Sequence, residues 1–285
     1  MSEHSAGRRS RGTRRGGIQA DKSLGQHFLV NEGAADCIVA AALEAEPEGV
    51  VEIGPGLGVL THRLAASGLP VVGVEMDKAM RPALERIQAE HANLELRWAD
   101  ALAVDMAEFT TRGPWAAVGN IPYQITSPLL DQLLTTEPPF STIVLMIQRE
   151  VAGRLMADPG GKDYGALTLL VRFYAGMPEV VAELTPASFD PPPKVHSTVL
   201  QITPRTPPIE DPERRKLFFR VVRGAFGQRR KQLVNALAGA PGLPVDRDQA
   251  RSALGKARIA SSRRGETLSL EEFVALTGAV AEVIG

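Results

Sequence analysis

With 285 residues, 44% of them hydrophobic, the chain can bury a substantial core, and no apolar run in it approaches the roughly 18 residues needed to cross a bilayer. One cysteine, Cys37, read as a small hydrophobe on a helix, excludes an internal disulfide and a Cys-rich metal centre; five scattered histidines show no paired ligand spacing, so no metal is expected. The net charge of −1 conceals segregation: residues 1–26 sum to +4, 27–213 to −13, 214–264 to +12 and the tail to −4, the footprint of a polyanion-binding surface on an acidic body, although solvated helix faces would give the same counts.

Residues 1–20 hold almost no large apolar side chain and read as a disordered basic tail. No apolar segment follows them as a secretory signal requires, and the Gly pairs and missing apolar face oppose a mitochondrial presequence, so a cytoplasmic monomer without membrane contact is expected. From Gly33 onward, VVEIG (50–54), PVVGVE (70–75), LELRW (94–98), WAAVGN (115–120) and TIVLMIQ (142–148) are nearly continuous apolar runs, as buried parallel strands are. Helical patterns near 33–44, 58–67, 77–89 and 126–135 alternate with them. This rhythm predicts an α/β fold with a doubly wound, mostly parallel, Rossmann-like sheet. After another helical pattern at 164–175, VVAEL (180–184) and VHSTVLQI (195–202) flank the Pro-rich FDPPPK (189–194) and predict an antiparallel strand pair at one end of the sheet. RTPPIEDPE (205–213) reads as a linker. Beyond it, Leu217, Phe218, Val221, Val222, Ala225 and Phe226, then Leu233, Val234 and Leu237, then Phe273, Val274 and Leu276 recur with helical spacing. The expected organisation is a catalytic α/β domain over 21–205 and a small all-α domain over 206–285.

VVEIGPGLGVLT (50–61) puts Gly54, Gly56 and Gly58 at alternate positions between the first strand and its helix, where glycines let the backbone approach a ligand. A dinucleotide fingerprint would need its third glycine where Val59 stands. With Glu52 the segment instead fits E-x-G-x-G-x-G, a methyltransferase pattern. Glu75 ends the second strand, 17 residues beyond Gly58, where a carboxylate can accept both hydroxyls of a ribose. Asp100, in RWADAL, ends the third and could accept from an adenine amino group. Glu75 could be an ordinary exposed acid, but three acids and a glycine turn at successive strand ends form one crevice at the switch point of such a sheet.

GNIPYQITSPLL (119–130) closes the fourth strand. The amino group of adenine is a poor nucleophile because its lone pair is delocalised into the ring. If the Asn120 side-chain carbonyl and the Ile121 backbone carbonyl accept its two hydrogens, the nitrogen can rehybridise, and in-line attack then needs positioning more than a strong base. Pro122 stiffens the turn, and Tyr123 offers a ring for an extruded base at roughly 1–3 kcal/mol of stacking. The tetrad could also be a plain turn. Phe189 is a candidate for the opposite wall of the base slot, with core packing a nearly equal alternative.

Together these motifs resemble the ribosomal RNA adenine dimethylases from Lys22 to about Leu276. KSLGQHFLVN (22–31) is similar to the segment that family lays over its cofactor, and FDPPPKVHSTV (189–199) and FGQRRKQLVNAL (226–237) resemble its small-subunit branch. The resemblance implies S-adenosylmethionine as methyl donor and S-adenosylhomocysteine as product. It implies as substrate two adjacent adenosines in a 3′-terminal hairpin of 16S rRNA, within the small ribosomal subunit or its precursor. It also implies cofactor contacts from Gln26, His27, Leu29, Gly54, Gly56, Gly58, Glu75, Met76, Asp100, Ala101 and Asn120. Arg223, Arg229, Arg230 and Lys231 would meet RNA phosphates from a helix or its first turn. His27 stands where Asn is also common in the family, and Ile121 where Leu is. Three other readings stay open: a macrolide-resistance type enzyme acting on large-subunit RNA, against which Gly56-Leu57-Gly58 lacks a frequent Lys; a ribosome-assembly factor that mainly binds; and a dehydrogenase, disfavoured by its glycine spacing.

Overall fold

The computed structural model describes residues 26–122 and 124–284, together with the backbone pairs Arg14–Arg15 and Ile18–Gln19, which form a two-residue antiparallel ladder inside the expected tail. The rest of the expected disordered tail over 1–20, and the proposed stacking ring of Tyr123, lie outside the described residues.

Seven strands make one sheet: β1 (Gly49–Ile53), β2 (Val71–Glu75), β3 (Leu94–Trp98), β4 (Trp115–Asn120), β5 (Thr142–Gln148), β6 (Glu179–Leu184) and β7 (Ser197–Ile202). Their order is β3-β2-β1-β4-β5-β7-β6. The first five pair in parallel, whereas β7 runs antiparallel to both β5 and β6, so the expected antiparallel pair does close one end of the sheet. The central strands β1, β2 and β4 are buried nearly throughout, which is why they read as unbroken apolar runs; the edge strands β3 and β6 are half exposed.

Alternation along β5 shows how the strands feed two cores: Ile143, Leu145 and Ile147 point into one, Val144 and Met146 into the other. The second core lies under α1 (Glu32–Leu43) and α2 (Val59–Ala66), which share a face of the sheet with α3 (Arg81–Glu90). Asn31 caps α1 by accepting from Ala34 N at 3.0 Å. On the opposite face the chain adds the single turn α4 (Ala107–Thr110), then α5 (Thr126–Thr135), α6 (Arg149–Met156) and α7 (Ala166–Tyr174). Helix α6, which the sequence reading did not mark, buries Ala152 and Leu155 and packs Val151 and Met156 against the core, a short stripe of only two turns.

The C-terminal helices are α8 (Pro212–Gly227), α9 (Leu233–Ala238), α10 (Arg247–Lys256) and α11 (Leu270–Ile284). The end of the Pro-rich linker is a helix start: Asp211 Oδ1 accepts from Arg214 N at 2.7 Å, and Pro212 occupies the first turn. These helices share the larger core with the sheet. Phe218 tilts against Phe173 of α7 with ring centroids 4.5 Å apart, Phe219 stacks on Tyr174 at 5.9 Å, and the Tyr164 hydroxyl donates to Leu268 O at 2.8 Å. Among the described residues no helix is long and apolar enough to cross a membrane.

Candidate active site

The carboxyl ends of β1, β2, β3 and β4 open into one cleft, lined by the glycine turn, the three strand-end acids and the Asn120–Pro122 segment. Gly54, Gly56 and Gly58 all have positive φ (69°, 59° and 83°), a region that side chains with a Cβ rarely occupy. Gly54 and Gly56 face the cleft. Gly58 does not line it, contrary to the expected cofactor contact: it begins α2, and a Cβ there would collide with Ile87 Cδ1 of α3. Its smallness serves helix packing behind the turn.

Glu75 is 7% exposed and therefore no ordinary surface acid. Its Oε2 accepts from Gly56 N at 2.9 Å and its Oε1 from Asp77 N at 2.8 Å, so one carboxylate ties the glycine turn to the end of β2 and keeps a lone pair on each oxygen for a ligand. Burial raises its pKa, and the backbone donors pull against that rise. Asp100 is exposed at the mouth, with Oδ1 accepting from Leu102 N at 2.9 Å and the buried Ala101 beside it; Met76, 53% exposed, forms an apolar ledge. Deeper in the cleft, Glu52 is 1% exposed, and its Oε2 has no partner among the described residues. Burial, with a smaller contribution from the charge of Glu75, pushes its pKa up to about 8.

Asn120 ends β4 and lines the cleft. Its Nδ2 donates to His27 O at 2.9 Å, and because only an amide nitrogen can donate there, the side-chain carbonyl is turned the other way. Ile121, 1% exposed, donates its N–H to Met146 O at 3.3 Å, and the Pro122 carbonyl accepts from Ile125 N at 3.1 Å. Neither Asn120 Oδ1 nor the Ile121 carbonyl meets an internal donor among the described residues. Both therefore keep their acceptor capacity at the end of β4, in a segment tied to β5 through Ile121 N and to Ile125 through Pro122 O.

The segment 26–31 covers one side of the cleft and is stitched to 188–191. Phe28 and Leu29 pair antiparallel with Asp190 and Phe189, Val30 N donates to Ser188 O at 2.8 Å, and His27 Nδ1 lies 2.7 Å from Pro191 O. Since a carbonyl only accepts, His27 carries its proton on Nδ1. Gln26 donates to Asp77 Oδ2 at 2.7 Å, connecting the cover to the end of β2. Gln26, His27 and Leu29 all line the cleft.

Phe189 is 4% exposed, packs in the core beneath the cover and is not among the residues lining the cleft, which agrees with the core-packing alternative. Cys37 is on a helix but exposed. Arg229, Arg230 and Lys231 occupy the turn between α8 and α9, and Arg223 an outer face of α8; all four are exposed. Arg229 is also a brace: its Nη2 donates to Lys162 O at 2.9 Å and to Tyr164 O at 3.1 Å and lies 3.3 Å from Glu266 Oε2. Nothing in its sequence neighbourhood distinguishes it from Arg230. The segment it grips lies between α6 and α7.

A doubly wound sheet receives nucleotides at this switch point. A cleft there that is acidic, has alternate-position glycines and ends in paired acceptors belongs to the S-adenosylmethionine-dependent methyltransferase class. A family model described as ribosomal RNA adenine dimethylase matches residues 17–276. A ribosomal RNA small subunit methyltransferase A of Desulfitobacterium hafniense is 43% identical over 266 residues, covering 93% of this chain and 94% of its own, and that of Moorella thermoacetica is 43% identical over 270 residues, 92% of each. Among solved structures, a dimethyladenosine transferase from Plasmodium falciparum aligns with a TM-score of 0.72 and 26% identity, over 88% of this chain and 96% of that one; the 23S rRNA methyltransferase ErmE gives 0.66 and 26%, over 89% and 99%. The chain belongs to the ribosomal RNA adenine dimethylase family.

Proposed function

We propose that the protein methylates the exocyclic amino groups of two adjacent adenosines in a 3′-terminal hairpin of 16S rRNA during small-subunit assembly in the cytoplasm. The carrying observation is the orientation of Asn120 at the cleft: its nitrogen is committed to His27 O, and its oxygen meets no donor among the described residues. When bound, S-adenosylmethionine supplies an electrophilic methyl and leaves as S-adenosylhomocysteine. The residues present suit it. Glu75 would accept from its ribose hydroxyls and Asp100 from its base amine, Met76 and Ala101 would offer apolar contact to the base, Gly54 and Gly56 would leave room for its chain, and the buried Glu52 carboxyl, whose Oε2 has no partner among the described residues, lines the same cleft. Asn120 Oδ1 and the Ile121 carbonyl accept the two hydrogens of the target amine and turn its lone pair toward the methyl. The alkylated nitrogen is acidic and gives its proton to water. Arg223, Arg230 and Lys231 engage RNA phosphates, with Arg229 holding their turn in place.

The small-subunit reading rests on 43% identity over almost the whole length to relatives with that name, against 26% for the large-subunit enzyme ErmE. Incubation with a labelled methyl donor and either unmodified small-subunit particles or free 23S rRNA, followed by mapping of modified bases by mass spectrometry, tests it. Label in the 16S hairpin supports the proposal, and label confined to 23S rRNA overturns it.

A further inference from the structure

We propose that His62, Glu90 and His91 form a surface binding site for a borderline-soft divalent cation such as zinc, on the face of the sheet that carries α2 and α3. His62 lies in the first turns of α2; Glu90 ends α3 and His91 caps it. They are 28 residues apart in sequence, so no linear ligand spacing announces them, yet one imidazole nitrogen from each histidine and a carboxylate oxygen of Glu90 all lie within 4.8 Å of one another. The two rings meet edge to face, with centroids 5.2 Å apart and planes at 84°.

A tetrahedral zinc ion with bonds of about 2.0–2.1 Å needs ligand atoms about 3.4 Å apart. Closing from 4.8 Å requires movement on the order of 1 Å, well within the rotation of exposed side chains, while the backbone stays fixed by the helices. Two imidazoles and one carboxylate favour zinc, copper or nickel over magnesium or calcium, which seek all-oxygen shells. Three protein ligands leave a position for water. The site lies outside the cleft and does not depend on the methyl-transfer reading. It would connect α2 to the end of α3, across the same pair of helices that meet at Gly58 and Ile87, and so brace the glycine turn from behind.

The test uses tag-free, full-length protein stripped with chelator and titrated with zinc chloride by calorimetry. The His62→Ala/His91→Ala double variant and Glu90→Gln are run in parallel, with cofactor affinity and metal-free melting temperature as folding controls. The expected result is one equivalent bound by the native chain, a melting temperature that rises with zinc but not with magnesium, and loss of both effects in the double variant. No uptake by the native chain, or unchanged stoichiometry in the double variant because other histidines bind, overturns the site. Weakening in Glu90→Gln supports the carboxylate as third ligand, and unchanged affinity there removes it from the set.

Discussion

Replacing Asn120 by Ala separates chemistry from cofactor binding. The side chain has two hydrogen-bonding ends: Nδ2 holds the cover segment through His27 O at 2.9 Å, and Oδ1, on the proposed function, accepts from the target amine. Truncation leaves the Ile121 carbonyl, so one of two positioned acceptors is lost, which by analogy with removal of one oxyanion-hole donor lowers the rate by about 10²–10³. Loss of the partly exposed bond to His27 costs only about 1 kcal/mol and is shared with water, so cofactor affinity falls by no more than about tenfold. Single-turnover methyl transfer on unmodified small-subunit particles, with cofactor binding measured by calorimetry, reads the two effects independently. Glu75→Ala provides the contrast, because it removes the ties to Gly56 and Asp77 as well as the ribose acceptor, and its loss must appear first in cofactor affinity. If Asn120→Ala turned over normally, or lost activity solely by failing to bind cofactor, the acceptor role would be wrong.

Glu52 carries a pH signature. Its native pKa of about 8 lies above the ordinary 4.5, so the folded protein retains a proton that the unfolded chain releases, and stability declines as pH rises between those values, by a few kcal/mol in order of magnitude. Melting curves should show a shallower decline for Glu52→Gln than for the native chain from pH 5 to pH 8; equal slopes would contradict this. Gly58→Ala places a Cβ at φ 83° against Ile87, with an expected cost of about 2–4 kcal/mol in chemical denaturation, and Ile87→Ala in the same chain should restore the steric part but not the backbone part. Arg230→Glu with Lys231→Glu should abolish methylation of particles while calorimetric cofactor affinity stays unchanged, and loss of cofactor binding would show that this turn is not an RNA surface. Arg229→Glu should in addition lower the melting temperature, because it releases the carbonyls of Lys162 and Tyr164.

The sheet was legible because burial on both faces writes β1, β2, β4 and β5 as continuous apolar runs, and the cleft because its glycines and acids fall at the ends of consecutive strands. Features fixed by tertiary contact were not. Helix α6 is only two turns long, and Pro212, which reads as part of the Pro-rich linker, in fact starts α8 behind its Asp211 cap. The ring of Phe189 could face either way until its pairing with Leu29 set the register. Gly58 has the spacing of a ligand contact but answers to Ile87, Arg229 has the composition of a phosphate contact but also braces a loop, and His62 and His91 are brought together only by the packing of α2 against α3.

The most direct measurement incubates the protein with isotopically labelled S-adenosylmethionine and unmodified small-subunit particles, then digests the RNA to nucleosides and identifies the labelled product. Label recovered as adenosine methylated on its exocyclic nitrogen is the predicted result. Label on a ring position, on another base, or on none would contradict an amine held between Asn120 and Ile121.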